Sequence, residues 1–297
     1  ASYNKMLYRT TAGSLSASSA EIARNLNDIN TMMDLFLADA TIQNSLSTLK
    51  DSDQLQDINT AYSSAYTTLT EYYFTFRQNY MEYMSLYQDT FTIHTHISLR
   101  HSVPEEVMDD LLARSREARG ATVWVTDYSM EYGIFAVKSL RRTEYLRLDD
   151  LGTLIVCLDP DALIGSVGQT DPLYDSANYL LYNASGPIYA SASIPEAVAA
   201  DLGRIFEEPY GRRSAGNQDY FYVRGVIPDF NWSYICVIPY GEIAGAIRLA
   251  MAFCLAVMAA AAVITAVLSF SLITAITPDL DNLLLKFRHF GDGRQTP

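Results

Sequence analysis

Cysteine and histidine carry much of the chemistry that a sequence can reveal, and this chain of 297 residues has three cysteines and four histidines. It has no Cys-x-x-Cys pair and no cluster of Cys with His, so neither a metal site nor a disulfide framework is predicted. Cys157 and Cys236 each fall in a short β-like segment and are expected to be small buried hydrophobic residues. His94 and His96 share one face of a predicted strand without a third ligand nearby, so we expect them at the surface or in a pocket wall.

Motifs of enzyme catalysis are also missing. The chain has no Gly-rich nucleotide loop, no Gly-x-Ser-x-Gly, no His-Glu-x-x-His and no paired-carboxylate signature. His289 lacks the surroundings of a phosphoacceptor histidine. The formal net charge of −13 and the lack of a basic stripe with interleaved aromatics argue against nucleic acid as a partner. We predict no catalytic residue, no metal and no cofactor here, and leave open whether the parent protein is an enzyme.

An uncharged segment near the C-terminus decides the class of protein. Residues 249–273 are a run of 25 residues without a charge, and about 20 apolar residues suffice to cross the hydrocarbon core of a bilayer as a helix. The many Ala and Ser residues of this run suit close contact between helices in a membrane. We therefore predict a transmembrane helix, with the lipid bilayer as a partner.

The charges that flank this run predict its orientation. Its C-terminal side carries Lys286, Arg288 and Arg294, whereas Arg248 stands alone on the other side. By the positive-inside rule, residues 1 to about 245 are extracytoplasmic and the tail is cytoplasmic. An exported N-terminal part needs a preceding signal or anchor, so we expect a first transmembrane helix before Ala1.

A pattern that occurs twice organises the predicted outer region. Each copy begins with Leu-Tyr, at 86–87 and 181–182, in a segment that reads as strand, turn and strand. A Ser-x-Pro-Glu sequence, at 102–105 and 193–196, then predicts a helix that starts with a capping box. Alternating aromatic strands follow, that of the second copy at 218–227, and each copy closes with Cys-x-x-Pro. In the first copy, Asp159 and Pro160 of this sequence predict the start of a further short helix. Four matches in the same order predict two α/β modules, each an antiparallel sheet crossed by a helix.

Helices are predicted before the modules. A narrow apolar seam at the 3/4 spacing of a long N-terminal helix is formed by Leu15, Ile22, Leu26, Ile29, Met33, Phe36 and Ala40. Two interpretations of this seam stay open: the helix either pairs with its twin in a homodimer or lies against its own modules, and both can hold along different portions. A second helix is predicted at about residues 53–77.

This order of elements resembles a double Cache sensor, in which two PAS-like modules follow a long membrane-emergent helix and precede a transmembrane helix. The resemblance covers nearly all of residues 1–275. Pro278 and the amphipathic segment after it, up to Gly293, are similar to the first helix of a HAMP relay, although Asp279 departs from the basic residue that often follows the Pro. The expected fold class is α+β, with a long N-terminal helix, two tandem PAS-like modules with antiparallel sheets, and a transmembrane α-helix.

The resemblance implies a division of the chain and a function. The expected parts are N-terminal helices (1–78), a membrane-distal module (79–170), a membrane-proximal module (171–241), a transmembrane helix (242–275) and the start of HAMP (276–297). Such sensors occur in histidine kinases of Gram-positive bacteria, so we expect a homodimeric small-ligand sensor in a bacterial cell membrane. Its kinase domain, outside this chain, would act on a response regulator in a two-component system. Alternatives are the sensor half of a chemotaxis receptor or of a membrane-bound transcription regulator, and, less favoured, a membrane-anchored exoenzyme.

The resemblance also implies a small extracellular ligand in the distal module, between its sheet and the loops that cover one face. On or beside the distal strands, Trp124 and Tyr128 would stack on that ligand. Asp127 would accept a hydrogen bond from an amine or hydroxyl, and Arg141 would clamp a carboxylate. These four residues are the predicted ligand-binding site.

The neighbours of Trp124 limit this prediction. Trp124 alternates with Val123 and Val125, so a core position is the alternative interpretation. Arg119 and Trp124 also do not fall at the spacing of the motif in amino-acid-binding Cache receptors. An amino-acid ligand is therefore not implied.

Overall fold

The chain opens with helices in the computed structural model: α1 (Ser2–Ala38), α2 (Ala40–Asp51) and α3 (Leu55–Phe76). Asp39 separates α1 from α2, because its carboxylate accepts the amide N–H groups of Thr41, at 2.8 Å, and Ile42, at 3.2 Å. This is the N-cap that helices prefer. The second predicted helix is confirmed as α3, while the break at Asp39 was not predicted.

The structure describes most of the chain, in two compact units that end and begin at Pro239 and Tyr240. Ser102, Pro195, His96 and the predicted HAMP segment lie outside the described residues. The described ranges are 2–89, 91–95, 103–142, 149–168, 178–191, 194, 199, 208–215, 218–241 and 251–271.

Two antiparallel sheets follow the helices. The first, which we call the distal sheet after the predicted position of its module, has the order β2-β1-β5-β4-β3 and consists of β1 (Met81–Gln88), β2 (Phe91–His94), β3 (Val123–Val125), β4 (Ile134–Arg141) and β5 (Asp150–Leu158). The second, the proximal sheet, has the order β7-β6-β10-β9-β8 and consists of β6 (Asn178–Asn183), β7 (Gly186–Ala190), β8 (Tyr210–Ala215), β9 (Gln218–Ile227) and β10 (Trp232–Pro239). The two orders are the same, which confirms the predicted tandem modules and the α+β fold class.

Helices α4 (Glu105–Glu117) and α5 (Pro160–Gly168) belong to the first module. Helix α4 begins after Pro104, and Ser102 of its predicted capping box lies outside the described residues. Asp159 does cap α5, since its carboxylate accepts the amide of Asp161 at 2.8 Å. Pro at the first helical position needs no amide partner, which suits the start of α5.

Helix α1 packs against strands of both sheets, β4 and β9 among them. The seam from Leu15 to Phe36 is buried within the single chain, so along this portion the helix lies against its own modules. The approach to β9 is close, because a Cβ on Gly225 would lie 2.6 Å from the Ser19 hydroxyl oxygen. A homodimer stays a prediction, and it would have to use other positions of the helix.

The two faces of the distal sheet have different neighbours. On one face, α4 covers a core of buried residues that includes Phe135, Val137 and Cys157. On the other face, Lys138 of β4 is ion-paired with Asp34 of α1 and also lies 3.3 Å from the Thr122 hydroxyl. Cys157 and Cys236 are both buried, as predicted.

A separate helix, α6 (Met251–Ser271), lies in the second unit. It has 21 residues, no charged side chain, and is long and apolar enough to cross a membrane. Since about 20 apolar residues span a bilayer as a helix, this agrees with the predicted transmembrane segment. The residues on either side, from 242 to 250 and from 272 onward, lie outside the described part.

Candidate functional site

A cleft of about 560 Å³ opens in the first module where α4 passes over the ends of β1 and β5. Its volume is in the range of pockets that enclose small molecules. Helix α2 forms a further wall. The cleft, which we call the distal cleft, is lined by Leu49, Lys50, Tyr87, Gln88, Asp89, Leu112, Arg116, Asp150, Leu151, Gly152 and Thr153.

The floor of the distal cleft continues the core under α4. Tyr87 and Leu112 pack against that core. The hydroxyl groups of Thr153 and Ser115 lie 3.4 Å apart and tie β5 to α4. Gly152 has a φ of +148°, and a Cβ there would lie 2.5 Å from the carbonyl oxygen of Tyr87, so this position requires glycine. The strands can approach each other closely at the cleft for this reason.

Burial at the floor also affects ionisation. It raises the pKa of Tyr87 to about 12, against a lowering contribution from the hydroxyl of Ser85. On the neighbouring strand, His94 contacts Ser85 through Nδ1 at 2.6 Å, and burial lowers its pKa. The His94 ring also lies edge-on to the Tyr87 ring. His94 therefore supports the wall of the site rather than forming a charged group in it.

The raised tyrosine pKa predicts a loss of stability in alkali. The unfolded chain ionises Tyr87 near pH 10, whereas the folded protein resists ionisation until about pH 12. We expect the midpoint temperature of unfolding to fall as the pH rises from 10 to 12, and to fall less steeply in the Tyr87→Phe variant. Thermal unfolding followed by circular dichroism measures both, and equal slopes in the two proteins would contradict the assignment.

Charges of both signs line the distal cleft. Within the described part of the chain, neither the guanidinium of Arg116 nor the carboxylate of Asp89 has a hydrogen-bond or ion-pair partner. Lys50 donates from Nζ to the backbone carbonyl of Asp150 at 2.6 Å. The Asp150 carboxylate accepts from Ser139 at 3.0 Å and from the amide of Gly152 at 3.3 Å. As far as the described residues go, the cleft therefore offers an unpaired cation, Arg116, and an unpaired anion, Asp89, to a ligand.

Gln88 adds a fixed amide to the cleft. Its Nε2 donates to the carbonyl oxygens of Leu151, at 2.9 Å, and Leu46, at 3.4 Å. These two bonds fix the orientation of the side chain. Its Oε1 is buried and accepts no hydrogen bond from the described residues. A buried acceptor without a donor costs about 1–3 kcal/mol, so a ligand N–H or O–H group would be stabilised here.

Two of the predicted ligand-binding residues, Asp127 and Tyr128, lie together beside α4. Arg114 of α4 pairs with Asp127 at 2.5 Å and with Asp110 at 2.8 Å. The Tyr128 hydroxyl donates to Asp110 at 3.0 Å, and burial, followed by this bond, raises its pKa. These side chains join α4 to the loop at 126–133, which we call the junction loop. They do not line the distal cleft.

The same junction loop contacts the second module. Asn183, at the end of β6, donates from Nδ2 to the Thr126 hydroxyl at 2.7 Å. Ser129 donates its hydroxyl to the carbonyl of Ile188 in β7 at 2.7 Å. One side of the loop is therefore bonded to α4 and the other side to the β6–β7 hairpin.

Trp124 lies on the face of the distal sheet that α1 covers. Its indole N–H donates to Asn30 of α1 at 3.2 Å. Its ring lies edge-on to Phe230, at 5.7 Å, and Trp232, at 6.0 Å, both of the second module. Val123 and Val125, on the opposite face, pack under α4. Trp124 is thus a contact between modules, and a role in ligand binding stays a prediction that this placement does not favour.

Arg141, the fourth predicted residue, ends β4 next to a register shift in its pairing with β5. Its carbonyl accepts from Gln43 at 3.0 Å, and its Nε is buried without a partner among the described residues.

Of the four predicted ligand-binding residues, the structure thus brings together Asp127 and Tyr128 only. The residues of the distal cleft were not predicted from the sequence, because they come from separate helices and strands. The one pattern that could have indicated them is the spacing of Leu112 and Arg116, which places both on the same face of α4.

No protein-family model matches the sequence, and no curated protein matches it. Solved structures do match. The sensor domain of the V. cholerae histidine kinase DctB has a TM-score of 0.52 and 11% identity, over 79% of this chain and 98% of that chain. The extracellular domain of rpHK1S-Z16 has a TM-score of 0.52 and 7% identity, over 82% of this chain and 97% of that chain.

A chemoreceptor domain is also similar. The ligand-binding domain of the Campylobacter jejuni chemoreceptor Tlp3, in complex with 4-methylisoleucine, has a TM-score of 0.49 and 12% identity, over 80% of this chain and 94% of that chain. At these identities, the matches with TM-scores above 0.5 show the fold. The chain has the fold of extracellular receptor sensor domains, as its resemblance to double Cache sensors predicted.

Proposed function

We propose that this chain is the sensing and membrane-spanning part of a bacterial receptor. A small extracytoplasmic ligand binds in the distal cleft and biases the packing of the modules, and α6 carries the bias across the cell membrane to an output domain. Residues 1 to about 245 lie outside the cell and the tail lies inside, as the flanking charges predict. A histidine kinase that phosphorylates a response regulator is the proposed output, and a chemotaxis receptor fits the fold equally well.

One observation carries the proposal: α4 contributes both to the ligand cleft and to the junction loop. Leu112 and Arg116 of α4 line the cleft. Two residues before each of these, and so on another face of the same helix, Asp110 and Arg114 hold Tyr128 and Asp127 of the loop. A ligand that displaces α4 therefore also moves the loop. In this proposal α4 has two positions, one favoured without ligand and one with it. The ligand produces a signal only if it binds one of these positions more tightly than the other.

The second step passes from the junction loop to the proximal sheet. Asn183 and Ser129 provide bonds of 2.7 Å between the loop and the β6–β7 hairpin. β6 pairs with β10, which ends at Pro239, immediately before the second unit of the chain. In this proposal, a displacement of the loop shifts β6 and β10 and so reaches the segment that continues into the membrane helix.

Loss of the Asn183 bond is expected to uncouple ligand binding from output. The chain is fused at its C-terminus to the cytoplasmic part of a histidine kinase with a transcriptional reporter, and cells receive the low-molecular-mass fraction of yeast extract. We expect the response to fall roughly threefold or more in Asn183→Ala, because the variant loses the bond to Thr126, worth about 1 kcal/mol, together with the bonds that the Asn183 Oδ1 accepts from the amides of Ser185 and Gly186 in the hairpin turn. Reporter fluorescence measures the response.

The matched control is Asn44→Ala, at an exposed position of α2, which should respond like the parent. A full response by Asn183→Ala would exclude the junction loop as the route of the signal. A parent fusion that does not respond to the low-molecular-mass fraction of the extract would argue against sensing itself.

A further inference from the structure

We infer that the distal cleft takes a short peptide with free termini, a ligand class that rests on the sensing function proposed above. The inference depends on three properties of the cleft: separated charges of opposite sign, an amide acceptor between walls of mixed polarity, and a volume larger than one amino acid needs.

The charges favour a ligand that is both anionic and cationic. Arg116 and Asp89 line the same cleft but are not paired with each other, so each can neutralise one end of a ligand. Lys50 lies beside Asp150, whose Oδ1 already accepts two hydrogen bonds. A carboxylate is the natural partner of the Arg116 guanidinium, which can bind it with two parallel bonds. An ammonium group is the corresponding partner of Asp89.

The fixed amide of Gln88 favours a ligand with an N–H group between its charged ends. Its Oε1 is the buried acceptor without a partner among the described residues, and Nε2 cannot turn away without losing its bond to Leu151. A peptide N–H is such a donor, whereas a dicarboxylate has none to offer. The Gln88 side chain would then bind the backbone of the peptide and would not discriminate between peptides by their side chains.

The size and the walls favour a peptide over a single amino acid. The cleft has a volume of about 560 Å³, much of which a single amino acid would leave to water. Leu49, Leu112 and Tyr87 supply apolar wall area, and Thr153 supplies a hydroxyl. This mixture suits the side chains of two or three residues.

The test uses the whole chain in lipid nanodiscs. The probes are an equimolar pool of tripeptides that covers all side chains, the same pool amidated at the C-terminus, the same pool acetylated at the N-terminus, and a pool of free amino acids. We expect the unmodified tripeptides to raise the midpoint of thermal unfolding and both modified pools to raise it much less. Tryptophan fluorescence should change with the same ligand, since the chain has 2 tryptophans and both lie where the modules meet.

Arg116→Gln is the decisive variant. We expect it to bind the unmodified pool roughly tenfold or more weakly and to respond equally to the acid and amide pools, because the lost bond is charge-assisted. Arg24→Gln, at an exposed position of α1, should bind like the parent. Arg116 is exposed on α4, so its replacement should leave the fold intact.

The other outcomes overturn the inference. Stabilisation by free amino acids as strong as that by tripeptides would reduce the ligand to a single amino acid, and no stabilisation by any pool would exclude the peptide class. Both leave the sensing function standing, because the reporter fusion tests that function with a complex extract. Peptide binding without any reporter response would instead contradict sensing while keeping the ligand class.

Discussion

Replacing Asp34 with alanine is expected to destabilise the first unit by about 1–2 kcal/mol, because it leaves the nearly buried Lys138 ammonium without its counter-charge, although the Asp34 side chain itself is 65% exposed and the pair is partly screened by solvent. Lys138 lies in β4 with 6% of its side chain exposed, and its ammonium is paired with the Asp34 carboxylate of α1. Among the described residues, the remaining partner of Lys138 would be the Thr122 hydroxyl at 3.3 Å. A single neutral hydroxyl does not compensate for the desolvation of an ammonium group.

Two further variants separate charge from packing. Asp34→Asn keeps an acceptor oxygen and should cost less than alanine does. The double variant with Lys138→Met removes the cation as well and should recover much of the lost stability, since an apolar side chain of similar size needs no counter-charge. Urea denaturation of the three proteins measures the free energy of unfolding. A double variant as unstable as Asp34→Ala would show that the pair does not act through its charge.

The modules could be predicted from the sequence because their signals are local. Strand β9 runs from Gln218 to Ile227, the segment whose alternation predicted it, and α5 begins where Asp159 and Pro160 predicted a helix start. Local patterns predict single elements but not the topology. The repeat supplied this information, because two copies with the same order of elements predict two modules with the same topology. Strand β8 was missed, because Tyr210–Ala215 contains Gly, Ser and two Arg residues and no apolar alternation.

The site could not be predicted in the same way, because its contacts join residues that are far apart along the chain. Asn183 is hydrogen-bonded to Thr126, which lies 57 positions earlier in the chain, and nothing in the sequence around either residue indicates this contact. Alternation did show that Trp124 and its valine neighbours face opposite ways, but not which face holds the ligand. The sheet faces acquire this meaning only when α1 covers one and α4 the other.

Gly133→Ala is expected to destabilise the first unit by about 4 kcal/mol. Gly133 has a φ of +110°, which alanine adopts only with strain. Its new Cβ would also lie 2.7 Å from the carbonyl oxygen of Leu158 and 2.9 Å from the Cys157 sulfur. The backbone oxygen belongs to the centre of the distal sheet and cannot retreat, so the junction loop would have to move instead.

The control for this variant is Gly165→Ala in α5, where a Cβ meets no atom within 4 Å and alanine should stabilise the helix by up to about 1 kcal/mol. Denaturation curves compare the two substitutions directly. A Gly133→Ala protein as stable as the parent would mean that the loop leaves the sheet differently.

Gly133 allows the junction loop to pass close to β5 before the chain enters β4. This path of the loop keeps Asp127 beside α4, and it lets Ser129 reach the second module. If the ligand signal crosses this loop, a Gly133→Ala protein that still folds at low temperature should bind ligand and fail to report it.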